Sequence, residues 1–240
     1  MKHKTGILVG LLLIAFMAVA SILIINSQSN RPVASGQFYD QDYINQLADR
    51  IDFSKYDPES VIEGSEESGE LPEKIKGDTS APVVIYEYAD YTCPYCADMN
   101  TEMNRIYKDY DGKVAIVFRS YTVGHQNSIP GAAAANAAAV QGYYERYKNI
   151  LFSEQSAWYR LRGGALENYL KEAFIEASDG EGNVEQFVQD MYSDAIAQKI
   201  AFDQAAGNAV GLSGTPHFRI NGEAVSPTDL RTKIDELLRK

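Results

Sequence analysis

The pattern of apolar and polar positions changes character several times along this chain. Residues Gly6 to Ile25 (GILVGLLLIAFMAVASILII) run on without a charge. About 20 such residues, rising about 1.5 Å each, span the roughly 30 Å of a bilayer's hydrocarbon core. Lys2 and Lys4 precede the run, so the positive-inside rule keeps residues 1–5 in the cytoplasm and exports everything after Ile25. A cleaved signal peptide competes with this anchor, because Ala18-Val19-Ala20 resembles a small-x-small cleavage site. The run continues past that site, which favours the uncleaved form. Both readings place the rest of the chain outside the cytoplasm.

Residues 26–70 read as an extracytoplasmic linker. Asn26 to Gly36 is polar, and from Phe38 to Phe53 the residues Tyr39, Tyr43, Leu47 and Ile51 recur at a helical interval. A short amphipathic helix is predicted there, ended before Pro58. Glu63 to Glu70 (EGSEESGE) reads as a solvated acidic connector.

The compact domain is predicted over residues 71–240. Val83 to Tyr88 (VVIYEY) is a strand whose near-continuous β-branched and aromatic content predicts burial on both faces. Beyond Cys96 the period becomes helical, with Met99, Met103, Ile106 or Tyr107, and Tyr110 on one face; Asp111-Gly112 ends it, and Lys113 to Phe118 returns to strand. This is a βαβ unit. About residues 127–207 are helical in character, with an alanine-rich and tyrosine-rich segment from Gly131 to Leu151. Two stripes follow, at Leu166, Tyr169, Leu170, Phe174 and at Val184, Phe187, Val188, Met191, Ala195. These are core-facing surfaces rather than cofactor sites. His217–Ile220, Asn221-Gly222 and Glu223–Val225 form a hairpin, since Asn-Gly suits a type I′ turn. Ser226-Pro227-Thr228-Asp229 opens a last helix with Leu230, Ile234, Leu237 and Leu238 on its buried face.

Composition narrows the function classes. The chain has 240 residues, 45% hydrophobic and 23% charged, as a folded protein has. Its 22 Lys and Arg against 33 Asp and Glu give a net charge of −11, which excludes a surface dominated by a basic patch and with it a nucleic-acid binder. Two cysteines exclude a disulfide framework and a four-cysteine zinc site, and three histidines leave no histidine-rich metal centre.

Those two cysteines carry the chemistry. Cys93-Pro94-Tyr95-Cys96 stands where the first strand meets the helix, which puts Cys93 at a helix N-terminus. Unpaired backbone N–H groups and the helix dipole stabilise a thiolate there. In such settings a thiol pKa falls from about 8.5 into the range of roughly 3.5–7.5. A stabilised thiolate leaves a disulfide readily, so the oxidised pair accepts electrons. Cys93 is therefore the expected nucleophile and Cys96, one turn into the helix, the buried resolving thiol. Half a zinc site, a structural disulfide and a copper pair assisted by His217 compete with redox activity. No further ligands complete the first, and a bridge closing so small a ring stabilises little.

Thr215-Pro216 precedes the third strand, where this element order predicts a cis X-Pro bond; a trans proline in an ordinary turn is the alternative. The bend would turn the Thr215 backbone toward the cysteines to pair with an extended peptide. Glu87, six residues before Cys93 inside the apolar strand, is expected to relay protons to and from Cys96, with a strand-edge surface carboxylate as the alternative. Asp90 and Tyr91 shape the loop. His217 either helps stabilise the thiolate or lies on the surface, and His125 receives no role.

The stretch from Ser80 to Tyr88, the Cys93–Cys96 motif, the helical insertion and Thr215-Pro216 resemble the DsbA-type thiol–disulfide oxidoreductases of the thioredoxin superfamily, over roughly Leu71 to Lys240. The resemblance implies an α/β, thioredoxin-like fold (βαβ…ββα) with an inserted helical domain, here preceded by a transmembrane helix. It implies a redox pair at Cys93 and Cys96, substrate contacts at Pro94, Tyr95, Thr215 and Pro216, and a proton relay at Glu87. The family often has Pro-His between the cysteines; Pro-Tyr here removes one thiolate-stabilising group. The expected function is a membrane-anchored, monomeric oxidase of reduced exported proteins, without cofactor or metal, reoxidised by a quinone-linked membrane partner of the DsbB or VKOR type. A reductase or isomerase is the alternative enzyme, although residues 26–70 are short and polar for a dimerisation domain. A copper or peptide-binding chaperone is the non-enzymatic alternative.

Overall fold

In the computed structural model, which describes residues 37–239, the sequence periods become one mixed sheet with helices on both faces. The strands are β1 (Lys74–Lys76), β2 (Val83–Ala89), β3 (Val114–Ser120), β4 (His217–Ile220) and β5 (Glu223–Val225), in the spatial order β1-β3-β2-β4-β5. β2 and β3 are parallel, and the other neighbours are antiparallel. The strand β1, too short to show a period, was not foreseen.

Helix α1 (Gln41–Ala48) precedes the sheet, and α2 (Pro94–Asp109) crosses from β2 to β3. The insertion comprises α3 (Ser128–Val140), α4 (Tyr144–Ser153), α5 (Gln155–Trp158), α6 (Gly163–Ala177), α7 (Val184–Met191) and α8 (Asp194–Ala209). A 3₁₀ turn, Pro227–Asp229, leads into α9 (Leu230–Leu238). The hairpin turn has positive φ at both Asn221 and Gly222, as a type I′ turn requires.

Strand side chains alternate between faces, and each face has its own cover. On one, Val83, Ile85, Val114, Ile116, Phe218 and Ile220 pack with Met103 and Ile106 of α2 and Leu230 and Ile234 of α9. Glu87 shares this face and is level with Phe118 and Phe218 in the register. On the other, Arg119 meets an ion cluster: its guanidinium bonds Glu73 at 2.8 Å, Lys199 lies 3.3 Å from Glu73 and pairs with Asp203, and Lys74 bonds Asp203 at 3.1 Å. All five side chains are buried, and each charge has an opposite partner.

Residues before the expected boundary at Leu71 belong to the same compact unit, which starts at Phe38. The helix foreseen over Phe38–Phe53 is shorter and buries Ile44 and Ala48 rather than the tyrosine stripe. Tyr39 stacks on Tyr43 at 4.6 Å and donates to Asp194 at the start of α8. Arg119 donates to the carbonyls of Pro58 and Ser60, and Arg219 pairs with Glu59 at 2.7 Å. The acidic run foreseen as a solvated connector is docked as well. Ser65 and Ser68 cap a short turn reciprocally, and Gly69 at φ +63° lies so close to α8 that a Cβ would stand 2.2 Å from the Ala195 carbonyl oxygen. Local capping and one glycine let a run rich in acids and serines lie against the helix.

Among the described residues no helix is long and apolar enough to cross a membrane. The anchor expected at residues 6–25 lies outside them.

Candidate active site

Cys93 is the N-cap of α2, with Pro94 at the first helical position. Proline suits that position because its missing N–H has no partner in a first turn. The Cys93 carbonyl accepts from the N–H groups of Cys96 and Ala97 at 3.1 and 3.2 Å, closing the turn around the motif. Both cysteines are buried free thiols, while Tyr95 between them is 71% exposed.

Their environments separate the two thiols. Cys93 is lowered to about 6, chiefly because the Cys96 thiol donates to its sulfur. Partial burial opposes the shift; the Thr215 side chain and the backbone N–H groups of Cys96 and Tyr95 reinforce it. Burial pushes Cys96 far above the ordinary thiol range, and the neighbouring Cys93 sulfur adds to this. One sulfur is therefore a thiolate at neutral pH and the other a thiol.

The Thr215–Pro216 peptide bond is cis, and the Thr215 carbonyl oxygen lies 3.4 Å from the Cys93 sulfur. The structure thus brings Cys93, Pro94, Tyr95, Cys96, Thr215 and Pro216 together at one end of the sheet. Glu87 is fully buried on the face that α2 covers, so the surface-carboxylate reading is set aside. Burial raises its carboxyl to about 7, against the attraction of Lys148; Glu145 adds to the rise and Lys76 opposes it. His217 faces Tyr88 across the sheet. Burial and then Arg219 lower its pKa, so the neutral ring has no charge to lend a thiolate.

Two side chains support the catalytic loop, Gln155, which was not foreseen, and Asp90, which was expected to shape it. Gln155 of α5 donates from Nε2 to the carbonyls of Tyr91 and Cys93 at 2.8 and 3.0 Å, fastening the insertion to the catalytic loop. Asp90 is buried and accepts from the Thr92 N–H and hydroxyl, the Val123 N–H and the Ser128 hydroxyl, at 2.6–2.9 Å. The Thr92 hydroxyl donates its one proton to Asp90, so the 3.1 Å contact with His125 Nδ1 has the ring as donor. His125, given no role by the sequence, therefore belongs to the scaffold of the site. The spacing Asp90-Tyr91-Thr92 before Cys93 is an Asx-turn signal that the sequence did carry; nothing local announces Gln155.

A dithiol whose two sulfurs differ in acidity thus stands beside a cis-proline loop at one end of the mixed sheet. The chain belongs to the thioredoxin family: residues 71–238 match the family model Thioredoxin_4, described as thioredoxin. It is 26% identical over 173 residues to a probable disulfide bond formation protein D of Bacillus cereus, covering 68% of this chain and 78% of that one. It is 31% identical over 150 residues to the Na(+)/H(+) antiporter NhaA 3 of Salinispora tropica, covering 62% of this chain. That match spans only 21% of the antiporter's length. The solved structure of oxidised BdbD from Bacillus subtilis shares the fold with a TM-score of 0.62 at 18% identity, over 74% of this chain and 96% of that chain.

Proposed function

We propose that this protein is an extracytoplasmic oxidase that introduces disulfide bonds into reduced exported proteins, held at the membrane as a monomer by residues 6–25. The observation that carries the reading is the separation of the two thiols, with Cys93 at about 6 and Cys96 far above neutrality.

A substrate thiolate attacks the Cys93 sulfur of the oxidised pair. The Cys93–Cys96 bond breaks, a mixed disulfide forms on Cys93, and Cys96 leaves with the electron pair. Cys96 needs a proton at that moment, since its buried sulfur is a poor thiolate. Glu87, whose carboxyl titrates near 7, supplies it. A second substrate thiolate then attacks the substrate's own sulfur, releasing Cys93 as the stabilised thiolate. Two electrons have passed from substrate to protein, and a quinone-linked membrane partner of the DsbB or VKOR type removes them. Thr215 and Pro216, with Pro94 and the exposed Tyr95, present the surface on which the substrate chain lies.

Equilibration of the Cys93–Cys96 pair with glutathione tests the direction. An oxidase stands well above the roughly −270 mV of thioredoxin, toward the roughly −120 mV of the strongest dithiol oxidants. A value at or below about −270 mV would make the protein a reductase.

A further inference from the structure

Arg160 and Arg162 lie in the turn between α5 and α6, both exposed, in a protein whose net charge is −11. Arg119, Arg146 and Arg219 each hold a carboxylate. Arg160 and Arg162 hold none among the described residues. Of the acids nearest in sequence, Glu154 accepts from the Tyr169 hydroxyl at 2.7 Å and Glu167 from the Tyr192 hydroxyl at 2.8 Å; neither reaches an arginine. The Arg160 guanidinium lies over the Tyr159 ring, 4.8 Å from its centroid. Stacking fixes the guanidinium plane and leaves its N–H edge open, the arrangement that receives a carboxylate through two parallel hydrogen bonds.

The turn is tied to the dithiol from two sides. Gln155, the first residue of α5, donates to the Cys93 carbonyl at 3.0 Å, and the Tyr159 N–H one turn later bonds the Gln155 carbonyl, also at 3.0 Å. From the loop after β3, Asn127 Nδ2 donates to the carbonyls of Tyr159 and Leu161 at 3.0 and 3.1 Å, and Gln126 reaches Leu161 at 3.2 Å. His125 in the same loop touches Thr92, the neighbour of Cys93, at 3.1 Å. The four residues of α5 rise only about 6 Å between Gln155 and Tyr159. An extended substrate advances about 3.3 Å per residue, so the two guanidinium groups come level with positions about two to four residues from its cysteine. Most of the surface repels anions, and this turn is where the charge balance reverses.

We propose that Arg160 and Arg162 select substrates that carry Asp or Glu side chains within a few residues of the reacting cysteine. The inference rests on the dithiol-exchange reading above and names a substrate class for it.

The test uses the full-length protein and two reduced dithiol peptides with blocked termini, identical except that Asp and Glu near the cysteines of one are Asn and Gln in the other. With the wild-type protein at low ionic strength, the acidic peptide is expected to have a KM about three- to tenfold lower at similar kcat, the effect of two exposed charge pairs. In the double variant Arg160→Gln, Arg162→Gln the two KM values should converge, while the neutral peptide keeps its wild-type rate. Salt keeps the test open should that variant not fold: about 0.5 M should remove most of the wild-type difference. Equal KM values in the wild type, a difference that salt leaves intact, or one that survives the glutamines would overturn the role of the arginines and leave dithiol exchange standing. A wild-type protein that oxidises neither peptide would overturn that reading, and this inference with it.

Discussion

The Gln155 side-chain amide donates to the main-chain carbonyl of Cys93 at 3.0 Å, across 62 residues of chain. A second bond from the same nitrogen holds Tyr91. One side chain of the insertion thereby fixes the entry of α2, and so the direction in which the first-turn N–H groups point at the Cys93 sulfur. Gln155→Ala should cost about 1–3 kcal/mol of stability, or a few degrees in Tm for a chain of this size. It should also raise the Cys93 pKa. Thermal unfolding and a thiolate titration check both; an unchanged pKa would reduce Gln155 to a structural tie.

Glu73 neutralises two cations at once, Arg119 and Lys199. Removing one member of a buried ion cluster leaves uncompensated charge and costs about 3–5 kcal/mol. Glu73→Ala should lose that much in denaturant unfolding and loosen residues 53–70 to hydrogen exchange, because the Arg119 guanidinium also holds the Pro58 and Ser60 carbonyls. The Cys93 pKa should not move, since the cluster lies on the other face of the sheet.

How much of this was legible in the sequence depends on the range of the interaction involved. The strand over Val83–Tyr88, the helix behind Cys96, the Asn221-Gly222 hairpin and the insertion all announce themselves through local period or turn chemistry, and all are present. The cysteine pair and Thr215-Pro216 were equally plain, being motifs at an element junction. The docking of Glu63–Glu70 was hidden. Composition reads an acidic, serine- and glycine-containing run as a free connector, whereas its docking through the buried Ser68 depends on Gly69 meeting Ala195 and, just beyond the run, on Glu73 meeting charges from two distant elements. Gln155 was hidden for the same reason. Its partners are backbone carbonyls, which leave no mark on the sequence.

Burial of Glu87 makes stability depend on pH in a definite direction. Its carboxyl rises from an ordinary 4.5 to about 7 in the folded protein, so the folded state holds the proton more tightly than the unfolded chain. The associated stability is complete below about pH 4.5 and is lost as pH rises through 7. A shift of that size corresponds to about 3 kcal/mol. Glu87→Gln stays neutral throughout, so it should match the wild type at pH 4 and be more stable by about that amount at pH 8. The same variant should slow the departure of Cys96 from the Cys93–Cys96 disulfide, the step that forms the mixed disulfide. Parallel stability profiles would contradict the buried-acid assignment.

Tyr95 stands in the first turn of α2, 71% exposed, where the wider family often has histidine. A cationic ring there would add a charge beside the Cys93 sulfur. Tyr95→His should lower the Cys93 pKa and raise the potential by about 30 mV for each tenfold shift in the exchange equilibrium with glutathione. A lower potential would contradict the electrostatic account of the site.

The account depends on Cys93 being ionised when its neighbour is not. Thiolate absorbance of the reduced protein, titrated from about pH 4 to about pH 10, reports this directly. One thiolate should appear with a midpoint near 6, lost in Cys93→Ser and kept in Cys96→Ser at a higher midpoint, because the Cys96 thiol is the chief donor to that sulfur. The second thiol should stay protonated across the range. Both sulfurs ionising together near pH 8.5, like free cysteine, would contradict the claim.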